Sequence, residues 1–257
     1  MFFGKKSLPG CSGYCKRCGR NHYLDSVLAR TKAEKLMAFM DKYNHINLMT
    51  PKAQVTSRYT TNLLFSSAQG KMFGVLLCRN ALGKEIVLYG FSGQFNGQWQ
   101  VPGWVGPLFD ERAFHQCADD TEREIKALGR SLEREAQGSD NRRQLKEYRR
   151  NLSRKLMQTL FSLYRVPDFR GNIYSLEQAF TGKTGMPTGT GDCCAPKLLA
   201  HAATHHLRPV SLSEFYYGRE NSSGTRVHKQ FYSACEEKCR PILGTMLCGI
   251  EECHGCG

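Results

Sequence analysis

The spacing of hydrophobic and polar residues changes several times along the chain, and each change marks an expected element. Residues 25–42 carry apolar side chains at helical spacing between charged ones, which predicts an amphipathic helix. Apolar runs at 71–80 and 85–95 with a short turn between them predict an antiparallel β-hairpin. The segments that show neither period, which we expect to be irregular, are 43–70 and 96–110.

The second half of the chain begins with a long charged segment of helical period, residues 111–163. Gly138 and its polar neighbours interrupt this segment, so we expect two antiparallel helices. Three shorter elements follow a Gly/Thr-rich loop: a helix at 193–207, a strand at 209–218 and a helix at 233–248. Along the sequence, helices and strands therefore both precede and follow a charged helical insertion.

The composition predicts a folded protein with a polyanionic partner. Of 257 residues, 40% are hydrophobic, which is enough to form a core and excludes a disordered chain. Lysine and arginine number 36 against 23 aspartates and glutamates, and the net charge of +13 favours nucleic acid as the partner. No apolar run approaches the roughly 18 residues of a transmembrane helix, and the N-terminus has no run of signal-peptide length. We therefore expect a cytoplasmic protein without a membrane partner.

Twelve cysteines are the strongest chemical signal in the sequence. A reducing compartment disfavours disulfides, and closely spaced cysteines in such a compartment are typical zinc ligands. The close pairs are Cys15 with Cys18, Cys235 with Cys239, and Cys253 with Cys256. We therefore expect zinc as the bound metal, at two sites.

The first expected site lies at the starts of two helices. Cys193 or Cys194 begins one predicted helix, and Cys235 and Cys239 begin the next, with one strand between them. The helix dipole stabilises thiolates at helix N-termini, so three sulfurs can converge there on one zinc ion. His228 could supply a fourth ligand, which would make the zinc structural.

This order of elements resembles that of zinc-dependent deaminases, in which one helix start carries one ligand and the next carries two. The resemblance implies an α/β protein with a deaminase-like three-layer α/β/α sheet, here with an inserted charged helical hairpin and a zinc-pinned N-terminal arm. Those enzymes have a proton-shuttling glutamate two residues after the first ligand, where this chain has alanine or proline. Asp192 and Glu214 are the nearest acids, and either is a candidate catalytic residue.

The second expected site involves the N-terminal segment, which contains the zinc-knuckle pattern Cys-x-x-Cys-Gly-x-x-His. This pattern and the cysteine before it supply Cys11, Cys15, Cys18 and His22. These residues could close a local site. Alternatively, Cys253 and Cys256 could join Cys15 and Cys18 in a four-thiolate site, which we prefer because it would clip the chain ends together.

The expected organisation has four parts. They are a Cys-rich zinc-binding arm at 1–24, the helix and β-hairpin of a core domain at 25–110, an inserted helical hairpin at 111–165, and the zinc-binding half of the core with a Cys-containing tail at 166–257.

Five motifs carry a second resemblance. They are GKMFGVLL (70–77), FSGQF (91–95), GDCCAPKLLAHA (191–202), SEFYYG (213–218) and HKQFYSACEEKCRPILGTML (228–247). Together they resemble the long N-terminal extension of some bacterial pseudouridine synthases of the ribosomal-large-subunit and tRNA type. The resemblance covers about residues 70–248, favours Cys193 over Cys194 as a ligand and implies an acid at Asp192. The His-Arg-Leu-Asp stretch of the synthase domain has no counterpart here, so no pseudouridine synthase activity is implied.

The second helix of the charged segment carries an expected nucleic-acid surface. Its candidate residues are Arg142, Arg143, Lys146, Arg149, Arg150 and Arg154. Members three or four residues apart share a helix face, so they predict a cationic ridge that could neutralise several phosphates. The alternative is an ordinary solvated helix face.

These features predict a zinc-binding module that associates with nucleic acid, and the second resemblance favours RNA and RNA modification. Two alternatives stay open at this stage. The first is a zinc-dependent nucleobase or nucleotide deaminase, and the second is an adaptor whose charged hairpin docks a protein partner. Whether the chain is an enzyme depends on whether the zinc keeps an open coordination position.

Overall fold

The computed structural model describes residues 10–49, 57–67 and 70–251, and its fold is mixed α/β with antiparallel strands. The helices are α1 (Val27–Tyr43), α2 (Glu111–Arg134), α3 (Asp140–Leu163), α4 (Leu176–Ala179), α5 (Cys194–Thr204) and α6 (Arg240–Met246). The strands are β1 (Cys11–Cys15), β2 (Arg20–Leu24), β3 (Lys71–Arg79), β4 (Glu85–Phe91), β5 (Val166–Pro167), β6 (Ile173–Tyr174), β7 (Arg208–Tyr217) and β8 (Phe231–Tyr232).

The central sheet has the strand order β4-β3-β7-β8, and every neighbouring pair in it is antiparallel. The predicted hairpin of β3 and β4 is present, with Phe73 opposite Phe91 and Arg79 opposite Glu85. β7 pairs with the other edge of β3, so the strand that follows α5 returns to the centre of the sheet. Two further pairs, β1 with β2 and β5 with β6, form small separate sheets.

Helices cover both faces of the central sheet. Phe73 and Val75 of β3 belong to a core with α1, whereas Leu76 and Cys78 belong to a core with α5 and α6. Because successive side chains of a strand point to opposite faces, this division defines two helical layers around one sheet. The predicted order of helices and strands around the insertion is confirmed, and so is the mixed α/β class.

The charged insertion forms a helical hairpin, α2 and α3. From here on we call this hairpin, and not the N-terminal segment, the arm. Asp110 and Ser139 cap the N-termini of the two helices by accepting backbone N–H bonds from Ala113 and Arg142. Each helix has 24 residues and is therefore about 36 Å long. The buried residues of the two helices, Ala118, Leu156 and Leu160, lie near the base, so polar side chains dominate the distal half.

Two segments differ from the sequence-based expectation. The N-terminal segment, which shows no period, forms the β1–β2 hairpin. The last predicted helix, 233–248, is helical only from Arg240 to Met246. Proline lacks an N–H and is tolerated only in the first turn of a helix, so Pro241 defines where α6 begins. Cys235 and Cys239 consequently lie in the turn before α6.

Candidate metal centres

The β1–β2 hairpin closes on a tight turn that brings two cysteines together. Gly19 donates its N–H to the carbonyl of Cys15 (3.0 Å) and has a φ of +69°, which favours glycine. Burial raises the pKa of Cys15, but the backbone N–H groups of Cys18 and Arg17, with contacts from Cys248 and Cys18, bring it below its usual value. The turn therefore favours a thiolate at Cys15.

Four side chains meet beside this turn, and we call them the knuckle centre: Cys15, Cys18, His22 and Cys248. Their ligand atoms all lie within 4.8 Å of one another, and Cys18 Sγ is 3.1 Å from His22 Nε2. Cys15, His22 and Cys248 are buried, so solvent does not compete strongly for these atoms. Three sulfurs and one imidazole nitrogen in this arrangement can hold a metal ion.

Cys248 is the member of the knuckle centre that sequence reasoning missed. It follows α6, and the nearest cysteine after it is Cys253, so no signal in the sequence links it to Cys15. His22 joins the group, as the local arrangement predicts. The preferred partners, Cys253 and Cys256, lie outside the described residues.

β1 lies directly against α6, and two glycines allow this contact. A Cβ atom added to Gly13 would lie 2.3 Å from the backbone nitrogen of Gly244. A Cβ atom added to Gly244 would lie 2.2 Å from the backbone carbonyl of Tyr14. This close approach brings Cys15 to the end of α6 where Cys248 lies. Cys11, at the other end of β1, points into the core and does not join the knuckle centre.

The other predicted site lies where α5 and α6 begin. Cys193 is the N-cap residue of α5 and Cys239 that of α6, and Cys235 accepts the N–H of Cys239 at its carbonyl (3.2 Å). The thiol of Cys239 interacts with those of both Cys193 and Cys235. Cys194 instead donates its thiol to a carbonyl of β3 (3.3 Å). We call Cys193, Cys235 and Cys239 the helix-start centre.

The sulfur atoms of the helix-start centre are less closely grouped than the ligand atoms of the knuckle centre. Among the described residues, the knuckle centre is the group of metal-ligating side chains whose ligand atoms all lie within 4.8 Å of one another. The Cys239 thiol and nearby backbone N–H groups lower the pKa of Cys235 to about 5, against the effect of burial. Contacts with Cys193 and Cys235, and burial, raise the pKa of Cys239 well above its usual value. A thiol with a lowered pKa thus lies beside one with a raised pKa, and a cation bound there would displace the protons that its thiol ligands still carry.

Glu214 is buried beside the helix-start centre. Its side chain projects from β7, and Oε1 accepts the backbone N–H of Ala195 in the first turn of α5 (3.1 Å). A carboxylate at a helix N-terminus is favoured by the helix dipole, which offsets part of the cost of burying it. Burial raises the pKa of Glu214 to about 7, the Ala195 N–H opposes this rise, and the charge of Cys235 adds to it.

Asp192, the other candidate acid, has different partners. The Tyr164 hydroxyl donates to Asp192 Oδ1 (2.7 Å), and the charges of Lys197 and Lys238 are close. Burial nevertheless raises the pKa of Asp192 above its usual value. The charge of Glu214 acts on Cys239 and adds to the rise of the Cys239 pKa.

Lys197 is a buried cation that the sequence reasoning did not single out. Its Nζ donates to the carbonyls of Phe91 (3.0 Å) and Gly93 (2.7 Å), and it lies 4.6 Å from the Phe91 ring centroid. Burial lowers the pKa of Lys197 to about 8, although the nearby Cys194 and Asp192 oppose this shift. These two hydrogen bonds therefore connect the end of β4 to the first turns of α5.

His228 does not join the helix-start centre. Its Nδ1 accepts the backbone N–H of Gly218 (3.0 Å), and its ring packs against Phe65 and Tyr217. Tyr217 belongs to the core on the α1 face of the sheet, whereas Cys239 belongs to the core on the α5 face. The predicted fourth ligand is therefore on the wrong side of the sheet.

The six predicted basic residues of α3 fall into two groups. Arg142 donates to the carbonyls of Leu132 and Glu135 at the end of α2. The guanidinium of Arg149 also faces α2, where it lies 3.9 Å from the position of a Cβ atom at Gly129. The other four are exposed and recur at helical spacing along one side of α3, and we call them the basic stripe: Arg143, Lys146, Arg150 and Arg154.

Comparisons with protein-family models, with curated proteins and with solved structures gave no match for this chain. In the part of the chain that the structure describes, no helix is both long enough and apolar enough to cross a membrane. The fold and its clusters therefore define a mixed α/β protein with a Cys/His group that can hold a metal ion.

Proposed function

We propose that this protein is a zinc-stabilised module that binds RNA along its arm. The observation that carries the proposal is the basic stripe, four exposed cations on one side of a helix about 36 Å long. Arg143 and Arg150 have acidic neighbours on α3, whereas Lys146 and Arg154 form no ion pair among the described residues. A row of cations that exceeds its own counterions is the electrostatic footprint of a phosphate backbone.

Zinc is the metal that the donor atoms favour. A tetrahedral zinc ion with Zn–S of about 2.3 Å and Zn–N of about 2.0 Å needs ligand atoms roughly 3.5–3.8 Å apart. The knuckle centre, with its atoms inside 4.8 Å, reaches this spacing by small side-chain movements. Three thiols and one imidazole form a closed set, so this zinc would be structural.

The resemblance to extensions of pseudouridine synthases favours RNA over DNA.

Neutralising the basic stripe tests the proposal directly. We expect the triple variant Lys146→Ala, Arg150→Ala and Arg154→Ala to bind single-stranded RNA more weakly. The logarithm of the RNA-binding constant falls with the logarithm of the salt concentration, and each lost phosphate contact makes this fall less steep by about 0.7. The triple variant should therefore reduce the steepness by about 2. Fluorescence anisotropy over a series of salt concentrations measures this slope.

A matched control removes the same charge from the other helix of the arm. Arg123, Lys126 and Arg130 of α2 are exposed at the same helical spacing, and two of them pair with acids on α2. Their replacement by alanine should leave the slope nearly unchanged. Equal losses from both triples would mean that only total charge matters, and the absence of salt-dependent binding would favour the adaptor function.

A second candidate function, a zinc-dependent deaminase, rests on Glu214. The carboxyl group lies beside the helix-start centre, where a proton-shuttling acid would act on a zinc-bound water. Cys193, Cys235 and Cys239 would supply three ligands and leave one position for the water. In the RNA-binding reading, this zinc would only hold α5 and α6 together and would activate no water.

Metal content separates these readings. We expect two zinc ions per chain in the purified protein, one in Cys239→Ser, one in Cys18→Ser and two in Cys117→Ser, which alters a cysteine outside both centres. Elemental analysis measures these ratios, and X-ray absorption gives the number of sulfur ligands. Ammonia release from a cytosine- or adenine-containing substrate, abolished by Glu214→Gln, would support the deaminase. One zinc ion in the unaltered protein that is kept in Cys239→Ser and lost in Cys18→Ser would exclude the helix-start centre.

A further inference from the structure

A cavity of about 410 Å³ opens at the base of the arm. Leu108 and Phe109, which lead into α2, line one side of the cavity, and Arg165, which follows α3, lines another. His201 and His205 of α5 complete it. Both ends of the arm and the body of the protein therefore meet at this cavity, which lies within the size range of small-molecule sites.

One wall of the cavity is apolar. Its residues come from the segment before α2 and from β6, and they are Pro107, Leu108, Phe109 and Ile173. Ile173 is 62% exposed, which is unusual for a large apolar side chain and leaves it open to a ligand. A flat aromatic ligand would cover this wall and remove apolar surface from water.

The lining of the cavity also includes an oriented cation, Arg165. Arg165 Nη1 donates to the carbonyls of Ser162 (2.8 Å) and Tyr164 (3.1 Å), so the guanidinium is held at the end of α3. No acid of the described residues lies within ion-pair distance of it. A fixed guanidinium without a carboxylate partner is suited to a phosphate group.

Two histidines at the end of α5, His201 and the C-cap residue His205, supply polar ring atoms. The rings of His201 and His205 are stacked, with centroids 3.9 Å apart and planes 19° apart. His205 Nδ1 lies 2.9 Å from the carbonyl oxygen of His201, and a carbonyl can only accept, so Nδ1 carries the proton. His205 Nε2 is then the ring atom that can accept a hydrogen bond from a base or ribose.

We propose that this cavity binds one unpaired nucleotide of an RNA strand that the basic stripe holds. The base would lie against the accessible apolar residues Pro107 and Ile173, its polar edge would face the histidines, and the phosphate would lie at Arg165. Arg154, the last member of the stripe, is nine residues from the end of α3, about 14 Å along the helix axis. A strand on the stripe can therefore continue to the cavity. This inference rests on the proposed RNA binding, but its site is separate.

Free mononucleotides test binding in the cavity separately from RNA binding along the arm. We expect the full-length protein to bind at least one of UMP, CMP, AMP and GMP, measured by calorimetry, and to bind inorganic phosphate at least 10-fold more weakly. The imidazole NMR signals of His201 and His205 should move during the titration. Arg165→Ala should weaken binding about 10-fold or more. His206→Ala, which alters a neighbouring histidine that lines a different cavity, should not.

The outcomes separate this inference from the proposed function. If no mononucleotide binds while the stripe triple still loses RNA affinity, the cavity inference is wrong and the RNA function stands. If a mononucleotide binds as expected but the stripe triple leaves RNA binding unchanged, the cavity site stands without the arm. Equal affinity for phosphate and UMP, or equal effects of Arg165→Ala and His206→Ala, overturns the nucleotide site. Arg165 is exposed, so we expect its variant to fold, and circular dichroism checks this.

Discussion

Replacing Gly244 with alanine is expected to destabilise the protein by about 3 kcal/mol or more, at the upper end of overpacking effects. The new Cβ atom would lie 2.2 Å from backbone atoms of Tyr14, and backbone cannot rotate away as a flexible side chain can. Alanine favours the helix by about 1 kcal/mol over glycine, which is too little to offset the clash. β1 would have to move away from α6, and Cys15 would move away from Cys248.

Thermal unfolding with metal analysis measures both consequences. We expect the melting temperature of Gly244→Ala to fall by roughly 6–12 °C, and the zinc content to fall from two ions towards one. Gly185→Ala is the control because a Cβ atom there meets nothing within 4 Å and Gly185 has no positive φ. A Gly244→Ala variant as stable as the Gly185→Ala variant would mean that β1 does not pack on α6 as described.

The elements that could be predicted from the sequence are those with a clear period and their own boundaries. α1 has apolar residues at helical spacing, and β3, β4 and β7 are short runs rich in apolar residues between polar or turn residues, so their type and approximate ends followed from pattern alone. β1 and β2 have five residues each and are stabilised by a turn and by α6, not by an apolar face of their own. Such elements form through tertiary contacts, which a local pattern does not contain.

The candidate sites divide in the same way. The positions of Cys193 and Cys239 follow from a local signal, because each is the N-cap residue of a helix. That these two cysteines and Cys235 hold a metal stays a prediction. Cys248 could not be linked to Cys15 without knowing that two glycines let β1 approach α6. In the sequence, Lys197 cannot be distinguished from an exposed helical lysine. In the structure, it is buried against the end of β4.

The motifs that prompted the second resemblance are in contact with one another. Lys197, in the motif that begins at Gly191, donates to Phe91 and Gly93 of the FSGQF motif. Glu214, in the SEFYYG motif, accepts the N–H of Ala195 in the first turn of α5. Residues far apart in sequence thus share the surroundings of the helix-start centre. These contacts give a physical reason why the motifs would occur together in one chain.

The two candidate centres are linked by β1 and α6. α6 has Cys239 at its N-cap and Cys248 two residues beyond its end. β1 has Cys15 at the knuckle centre, and Cys11 close enough to Glu214 for that charge to raise the Cys11 pKa, together with burial. An ion at either centre therefore orders one end of α6, the element that the two centres share. We expect loss of either metal to weaken the other site.

Removing the metal from the knuckle centre is expected to have the largest effect on stability. Structural zinc contributes roughly 10–16 kcal/mol of apparent binding free energy in small zinc domains, and part of this free energy here would hold β1 and β2 in place. We expect Cys248→Ser to lower the free energy of unfolding by more than about 4 kcal/mol. Backbone amides of 11–24 should lose protection in hydrogen exchange, while those of β3 keep it.

Cys117→Ser is the matched control, because Cys117 lies on α2 and belongs to neither centre. Its replacement should leave both stability and hydrogen exchange nearly unchanged. Treatment of the unaltered protein with a zinc chelator should reproduce the Cys248→Ser pattern, whereas the variant itself should respond less to the chelator. If the chelator has no effect on residues 11–24, packing of β1 on α6 alone holds the hairpin, and the knuckle centre needs no metal. The glycine contact would then be the main determinant of the N-terminal structure, and only Gly244→Ala would release it.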